Sequence, residues 1–170
     1  MKTRAGAILL LLVVPAAASA QAVAALTPLY ENIKGNIIKS AEQMSEANYA
    51  FKPTPEVRSF GQLVGHLANA NYAMCATAKG EKSPATQDFE KTTEKAALVQ
   101  AVKDAFVYCD AVFKLPDASF APMAELFNIK MTRLGFLILD VTHDNEHYGN
   151  IVTYFRLKGM VPPSSQSQSN

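Results

Sequence analysis

Two histidines stand four residues apart in the segment HDNEHYGN, at positions 143 and 147. On a helix, this spacing places both side chains on one face, one turn apart, where both rings can approach a single metal ion. The chain has only three histidines, and the third is His66. Three imidazoles are a ligand set that zinc and similar divalent ions accept, with one or more positions left open.

Two other interpretations of these histidines must be weighed. A buried histidine held only by hydrogen bonds is the alternative at each position, and the pattern alone leaves it open. The segment also fits H-x-x-E-H, the inverted zinc-protease signature, with Glu146 as the base. Those enzymes need another acidic ligand well downstream, but none of the 23 residues after His147 is acidic. We therefore reject the protease interpretation.

Several polar residues are candidates for work beside such a metal ion. Glu146 is a candidate general base, with a salt bridge at the rim as its alternative. Asp140, one turn before His143, is a candidate acceptor for a ring N–H of that histidine, or else a surface or capping acid. Asn69 and Tyr154 are candidate pocket-lining groups, although core packing explains Tyr154 equally well. A divalent ion here would acidify bound water and polarise a carbonyl, so both hydrolysis and thiol activation are open.

Four segments carry apolar residues at helical spacing, and they must position these side chains. They cover residues 23–44, 59–79, 93–114 and 132–158, and Ser59 with Gln62 forms a capping box at the start of the second. No segment alternates with the period of a strand, and residues 115–131 are expected to hold at most one short helical turn. The pattern predicts an all-α four-helix bundle. One stripe of the fourth helix is expected to face the bundle interior: Phe136, Leu139, His143, His147, Asn150, Tyr154 and Leu157.

The ends of the chain differ from its centre. Residues 1–20 combine a basic start, an apolar stretch and a small-residue cleavage site, which predicts a secretory signal and a mature start at Gln21. The protein is therefore expected to be secreted or periplasmic. Residues 21–161 are expected to form one domain, and residues 162–170 a disordered tail. The net charge is +1 for the whole chain and −1 without Lys2 and Arg4, which argues against nucleic-acid or membrane partners.

Two longer segments, RSFGQLVGHLANANY and THDNEHYGNIVTYFRLKGMVPPSS, resemble the DinB-like (DinB/YfiT) superfamily of metalloenzymes. The resemblance depends on one histidine in helix two, an H-x-x-x-H pair in helix four, and a Tyr, Arg, Gly and Pro-Pro cadence. The residues that carry it are His66, His143, His147, Tyr154, Arg156, Gly159, Pro162 and Pro163. It implies a four-helix bundle with a crossover connection, a divalent ion (zinc, nickel or iron) on the three histidines, and a homodimer. Related enzymes act on low-molecular-weight thiols.

The two cysteines, Cys75 and Cys109, bear on the bundle topology. An even cysteine count in an exported chain favours a disulfide. If helices two and three ran antiparallel, the two residues would be offset by roughly 18 Å, far beyond the reach of a bridge. If the helices run parallel, the cysteines come level. Because the resemblance implies a crossover between these helices, we predict a Cys75–Cys109 disulfide between parallel helices.

Two classes of function remain at this point. One is an exported metal-dependent enzyme, a hydrolase or thiol-transferase-like protein that acts on a small molecule. The other is a metal-binding or stress-associated bundle without turnover. A cleft that opens onto the histidines would favour the first class, and a plugged site would favour the second.

Overall fold

The computed structural model describes residues 17–166, and the predicted four-helix bundle is confirmed. The helices are α1 (Ala17–Gln43), α2 (Phe60–Lys79), α3 (Lys95–Val112) and α4 (Arg133–Leu157), and a hairpin of β1 (Met123–Leu126) and β2 (Ile129–Thr132) precedes α4. Within this range, no helix is both long and apolar enough to cross a bilayer. Most of the predicted signal lies outside the described residues, and α1 begins at Ala17, before the predicted cleavage site.

Local capping explains where the helices begin and end. The Ser59 side chain accepts from Gln62 N at 3.2 Å, while the Gln62 side chain accepts from Ser59 N at 2.9 Å, which is the predicted capping box. Thr132 caps α4 by accepting from Gly135 N at 3.2 Å. Gly159 adopts a φ of +68° just after α4, a left-handed conformation that glycine adopts readily. These signals fix the start of α2 and both ends of α4, the two helices that carry the histidines.

Helices α2 and α3 run parallel, as predicted. The rings of Tyr72 and Tyr108 lie 5.9 Å apart, and three residues further along α2 the Cα atoms of Cys75 and Cys109 are 5.4 Å apart. The two sulfur atoms lie at disulfide-bonding distance, so the predicted pair is brought together. The connection between these helices contains a short 3-10 turn, Phe89–Lys91, which we call the crossover turn.

The hairpin corrects the prediction that the chain contains no strands. β1 and β2 pair antiparallel, and Leu126 lies opposite Ile129. Phe127 and Asn128 form the connecting turn with φ values of +52° and +62°. Two-residue hairpin turns need positive φ, and the usual sequence signal for them is an Asn-Gly or Asp-Gly pair. The chain has no glycine here, which is why the hairpin was missed. The predicted short helical turn is present just before it, at Asp117–Phe120.

The first part of the predicted disordered tail is packed against the bundle. Pro162 and Pro163 are buried, and Ser164 N donates to the hydroxyl of Tyr148 at 2.9 Å. The side-chain amide of Gln166 donates to that of Gln43, at the end of α1, at 2.8 Å. The prediction of disorder is therefore wrong for residues 162–166, because the two prolines add apolar surface to the core.

The buried stripe of α4 is not the one predicted. The buried residues of this helix are Phe136, Leu137, Asp140, Val141, Asp144, Tyr148, Ile151, Tyr154 and Phe155. His143 and His147 are only partly buried, Asn150 is exposed, and Leu157 is 58% exposed. The histidine stripe therefore lies at the edge of the core, where α4 meets α2, rather than in the interior. This position gives the imidazole rings access to solvent on one side.

Candidate metal centre

The three histidines approach one another through their Nε2 atoms. His66 Nε2 lies 3.2 Å from His143 Nε2, and His147 Nε2 lies 3.1 Å from the same atom. All three residues can place a ligand atom within 4.8 Å of the other two. His66 comes from α2, while His143 and His147 come from successive turns of α4, so the group joins two antiparallel helices. The structure brings together all three of the residues that the sequence singled out.

The spacing and chemistry of these atoms fit a divalent ion. With zinc–nitrogen bonds of about 2.0–2.1 Å, neighbouring ligand atoms of a tetrahedral site are roughly 3.3–3.4 Å apart. The two observed Nε2 separations, 3.1 and 3.2 Å, are close to this value. Unprotonated nitrogens at such distances repel one another unless a cation or a proton lies between them. The three rings therefore form a donor set that suits zinc, nickel or iron.

Glu90, on the crossover turn, fixes the tautomer of His66. His66 Nδ1 lies 2.7 Å from Glu90 Oε1, so Nδ1 carries the proton and donates it, leaving Nε2 free to accept. Arg58 donates to the same carboxylate from Nε at 2.9 Å and from Nη2 at 3.4 Å. Burial alone would raise the pKa of Glu90, but the hydrogen bonds from Arg58 and His66 outweigh it and lower that pKa. Glu90 is therefore an ionised acceptor behind His66.

A close backbone contact holds Glu90 in this position. A Cβ at Gly65, the residue before His66, would overlap the Phe89 carbonyl and come within 2.9 Å of Glu90 N. Only glycine lets the crossover turn lie this close to α2. Asn69, one turn later on α2, accepts from Phe89 N at 3.1 Å and donates to Asp88 at 2.8 Å. Asn69 was predicted to line the pocket, whereas the structure shows it binding the crossover turn.

The two histidines of α4 are kept neutral by their surroundings. Burial, together with His147, His66 and Arg58, lowers the pKa of His143 to about 4. Burial and His66 also lower the pKa of His147. Neutral imidazole is the form that binds metal ions, so the site is ready for a metal at neutral pH. His143 Nδ1 has no hydrogen-bond partner among the described residues, and the amide of Asn150 lies 3.4 Å from His147 Nδ1.

A cleft of about 620 Å³ opens beside His147. Its lining residues are Pro53, Glu56, Val57, Arg58, Leu63, Glu90, His147, Asn150, Thr153 and Tyr154. Tyr154 is thus a lining residue, as the sequence suggested, and it also packs in the core. Its hydroxyl donates to the backbone carbonyl of Arg58, which ties the segment before α2 to α4. A cavity of this size is typical of a small-molecule site.

Two predicted residues occupy other places. Glu146, the candidate general base, is exposed on α4 and is not among the lining residues of the cleft. Asp140 does not form the predicted hydrogen bond with His143. Its side chain is fully buried, with Oδ2 at 3.6 Å from Cys75 Sγ and Oδ1 without a partner in the described part of the chain. Asp140 therefore belongs to the core behind the histidines rather than to the candidate site.

A buried acid pair lies on the core side of α4 and was not predicted. Asp144 accepts from the side-chain amide of Asn71 at 2.9 Å, and Asp140 lies one helical turn earlier. Burial raises the pKa of Asp144 to about 8. Burial also raises the pKa of Asp140 well above its usual value, and the negative charge of Asp144 adds to that shift. Asp140 and Asp144 are four residues apart, in line with Tyr148 and Ile151 on the buried face of α4. This spacing was the sequence signal that could have predicted their burial.

Comparison with known proteins supports the same architecture. The family model described as DinB superfamily matches residues 30–151. A DinB-like protein from Bacillus cereus has a TM-score of 0.66 at 16% identity, over 77% of this chain and 89% of its own. A DinB-like protein from Bacillus subtilis, YjoA, has a TM-score of 0.66 at 22% identity, over 87% of this chain and 99% of its own. No curated protein matches the chain.

Solved structures at 16% and 22% identity show the fold alone, but the match to the family model spans most of the chain. It covers α2 and α3 completely, together with about half of α1 and most of α4, and it contains all three histidines. The chain therefore belongs to the DinB superfamily.

Proposed function

We propose that this protein binds one divalent metal ion through His66, His143 and His147 and is a metal-dependent enzyme that acts on a small molecule. The observation that carries the proposal is the convergence of three Nε2 atoms, with the closest pairs 3.1 and 3.2 Å apart, at the edge of a cleft. In a trio without metal, His143 Nε2 can share a proton with only one of its two neighbours, so at least one close pair of unprotonated nitrogens would repel.

The ion and the residues behind His66 each have a defined part in this proposal. When bound, the ion supplies Lewis acidity and lowers the pKa of a coordinated water. Glu90 holds His66 in the tautomer that presents Nε2 and partly balances the positive charge. Arg58 holds Glu90 ionised, so that carboxylate is committed to His66 and Arg58 and is not a free base. The reaction that we propose is a hydrolysis or a transfer to a thiol, with the substrate lying in the cleft.

The cleft favours an enzyme over a metal-binding bundle without turnover. Its opening lies next to His147, and its walls combine apolar side chains with Asn150 and Thr153. A small molecule can therefore approach the histidine group from solvent. Glu146 is exposed outside the cleft lining, so the proposal gives it no part in catalysis.

Metal analysis tests the proposal directly. Protein purified without a histidine tag should contain about one divalent ion per chain, measured by plasma mass spectrometry after dialysis. His147→Ala should lose stoichiometric binding because two imidazoles make a poor site. Glu146→Ala, the neighbouring residue on α4, is the matched control and should keep its metal. Full metal content in a folded His147→Ala variant would contradict the proposal.

We also propose that the protein is exported to an oxidising compartment and forms a homodimer. Export is supported by the signal-like start of the sequence and by two cysteines at disulfide-bonding distance in the core. The homodimer is supported by resemblance to the family alone. Cell fractionation tests the first point, and sedimentation velocity at micromolar concentration tests the second.

A further inference from the structure

Arg58 has hydrogen-bonding capacity that its ion pair does not use. Its Nε and Nη2 donate to the two oxygens of Glu90 at 2.9 and 3.4 Å. A guanidinium has five N–H donors, so both hydrogens of Nη1 and one of Nη2 remain. The side chain lines the cleft and is 42% exposed. The unused edge of the guanidinium is therefore accessible to a ligand in the cleft.

The guanidinium is also held in place before any ligand arrives. The carboxylate of Glu90 fixes one edge of it, and the close contact at Gly65 fixes Glu90. The backbone of Arg58 is tied to α4 through the hydroxyl of Tyr154, and Ser59 begins the capping box directly after it. A cation restrained in this way loses little conformational freedom on binding an anion, which is the usual advantage of arginine for carboxylates.

The rest of the cleft leaves Arg58 as its anion-binding group. Arg58 is the one lysine or arginine among the ten described residues that line the cleft. Pro53, Val57 and Leu63 provide an apolar wall, while Glu56 is an exposed acid. With a divalent ion on the neutral histidines, the charges of Arg58, Glu56 and Glu90 leave the cleft with a net charge of +1. An anion is therefore favoured over a cation there.

We propose that Arg58 binds a carboxylate group of the substrate, so that the substrate is a small organic acid with an apolar body. The carboxylate lies against the free edge of the guanidinium, the apolar body contacts the wall formed by Pro53, Val57 and Leu63, and the reacting group faces the three histidines. The last element and the net positive charge of the cleft rest on the proposed function, whereas the hydrogen bonds to the carboxylate come from Arg58 alone.

A matched pair of ligands isolates this contact. We would measure binding of 3-phenylpropionate and of its neutral analogue 3-phenylpropionamide by calorimetry, using zinc-loaded protein because the cleft carries a net positive charge only with the ion bound. Wild type should bind the acid at least roughly tenfold more tightly than the amide, since a hydrogen bond to a charged group is stronger than one between neutral groups. Arg58→Gln should bind both ligands equally, and Arg58→Lys should keep part of the preference.

Arg156 provides the control for net charge. It is exposed on α4 and does not line the cleft, so Arg156→Gln removes the same charge and should leave the preference for the acid unchanged. Circular dichroism checks that each variant is folded. Equal binding of acid and amide by wild type, no binding of the acid, or a preference that survives in Arg58→Gln would each overturn the proposal. Metal content is measured on separate samples, so loss of the metal site and loss of acid binding are distinguishable.

Discussion

Gly65→Ala should weaken metal binding although residue 65 touches no metal ligand through its own side chain. The added Cβ would overlap the Phe89 carbonyl and lie 2.9 Å from Glu90 N. Ordinary contacts begin at about 3.5 Å, so the crossover turn must retreat by ~0.6 Å at Glu90 and by more at Phe89. The Glu90–His66 hydrogen bond is 2.7 Å long. A retreat of ~0.6 Å at Glu90 lengthens it to about 3.3 Å, beyond the usual range of about 2.7–3.2 Å, and so weakens it.

The expected loss follows from the part that Glu90 plays. Removing the partner of a metal-binding histidine typically costs about 10- to 100-fold in affinity. Zinc affinity would be measured by competition with a chromophoric chelator. Glu90→Gln should show a loss in the same range because it removes the charged acceptor without moving the turn. In the Glu90→Gln background, Gly65→Ala should cost little more, since both changes act through one hydrogen bond.

The control for this prediction is Gly35→Ala on α1. A Cβ at Gly35 would meet nothing within 4 Å, so this variant should bind zinc as wild type does and gain up to about 1 kcal/mol of helix stability. Gly65→Ala should instead lose ~1–3 kcal/mol from the close contact, partly offset by the same helix preference. A folded Gly65→Ala variant with wild-type zinc affinity would refute the reasoning. So would a double variant, Gly65→Ala with Glu90→Gln, whose loss of zinc affinity equals the product of the two single losses.

Three further predictions concern the core and the chain start. Asp144→Asn should raise the melting temperature more at pH 8 than at pH 4. Folding raises the pKa of Asp144 from 3.8 to about 8, so the wild-type protein is most stable below pH 3.8 and loses stability as the pH rises toward 8. Asparagine does not ionise, so the variant avoids this loss. Equal gains at both pH values would contradict this. Protein made in an oxidising compartment should show no free thiol when denatured without reductant, and replacing Cys75 and Cys109 by serine should cost about 3–4 kcal/mol; two free thiols would refute the bridge. Mass spectrometry of exported protein should find Gln21 at the N-terminus, and an intact Met1 there would contradict cleavage.

The sequence predicted the helices well because their signals are local. The capping box of Ser59 and Gln62 and the glycine after α4 are short-range features, and each was found where expected. The hairpin was missed because its strands have four residues each and its turn is built from Phe127 and Asn128, which do not usually adopt positive φ together. Nothing within a few residues of the turn indicates a strand pair.

The candidate site was predicted only in part, for a similar reason. His143 and His147 share one helical spacing, and His66 is the chain's one other histidine, so residue type and spacing singled out all three. Glu90 lies in a polar connection 24 residues beyond His66, and no periodicity links the two. On α4, the large apolar residues Phe136 and Leu157 made the histidine stripe look like the core, whereas Leu157 is exposed. Burial there follows the stripe that contains Asp144, and charged residues on a core face are uncommon.

The disulfide has a consequence for Glu90 that follows from chain connectivity. The bridge closes a ring of the backbone between Cys75 and Cys109, and Glu90 lies near the middle of that ring. If the crossover turn detaches, the backbone of about 15 residues from Cys75 keeps Glu90 within roughly 20 Å of that residue on average. The bridge adds a second tether, about 19 residues from Cys109, which stays anchored at α2 even when α3 loosens. Such a tether corresponds to a millimolar effective concentration of the carboxylate near α2. Rebinding to His66 is then an intramolecular step, so the site recovers from local opening without the whole bundle having to refold.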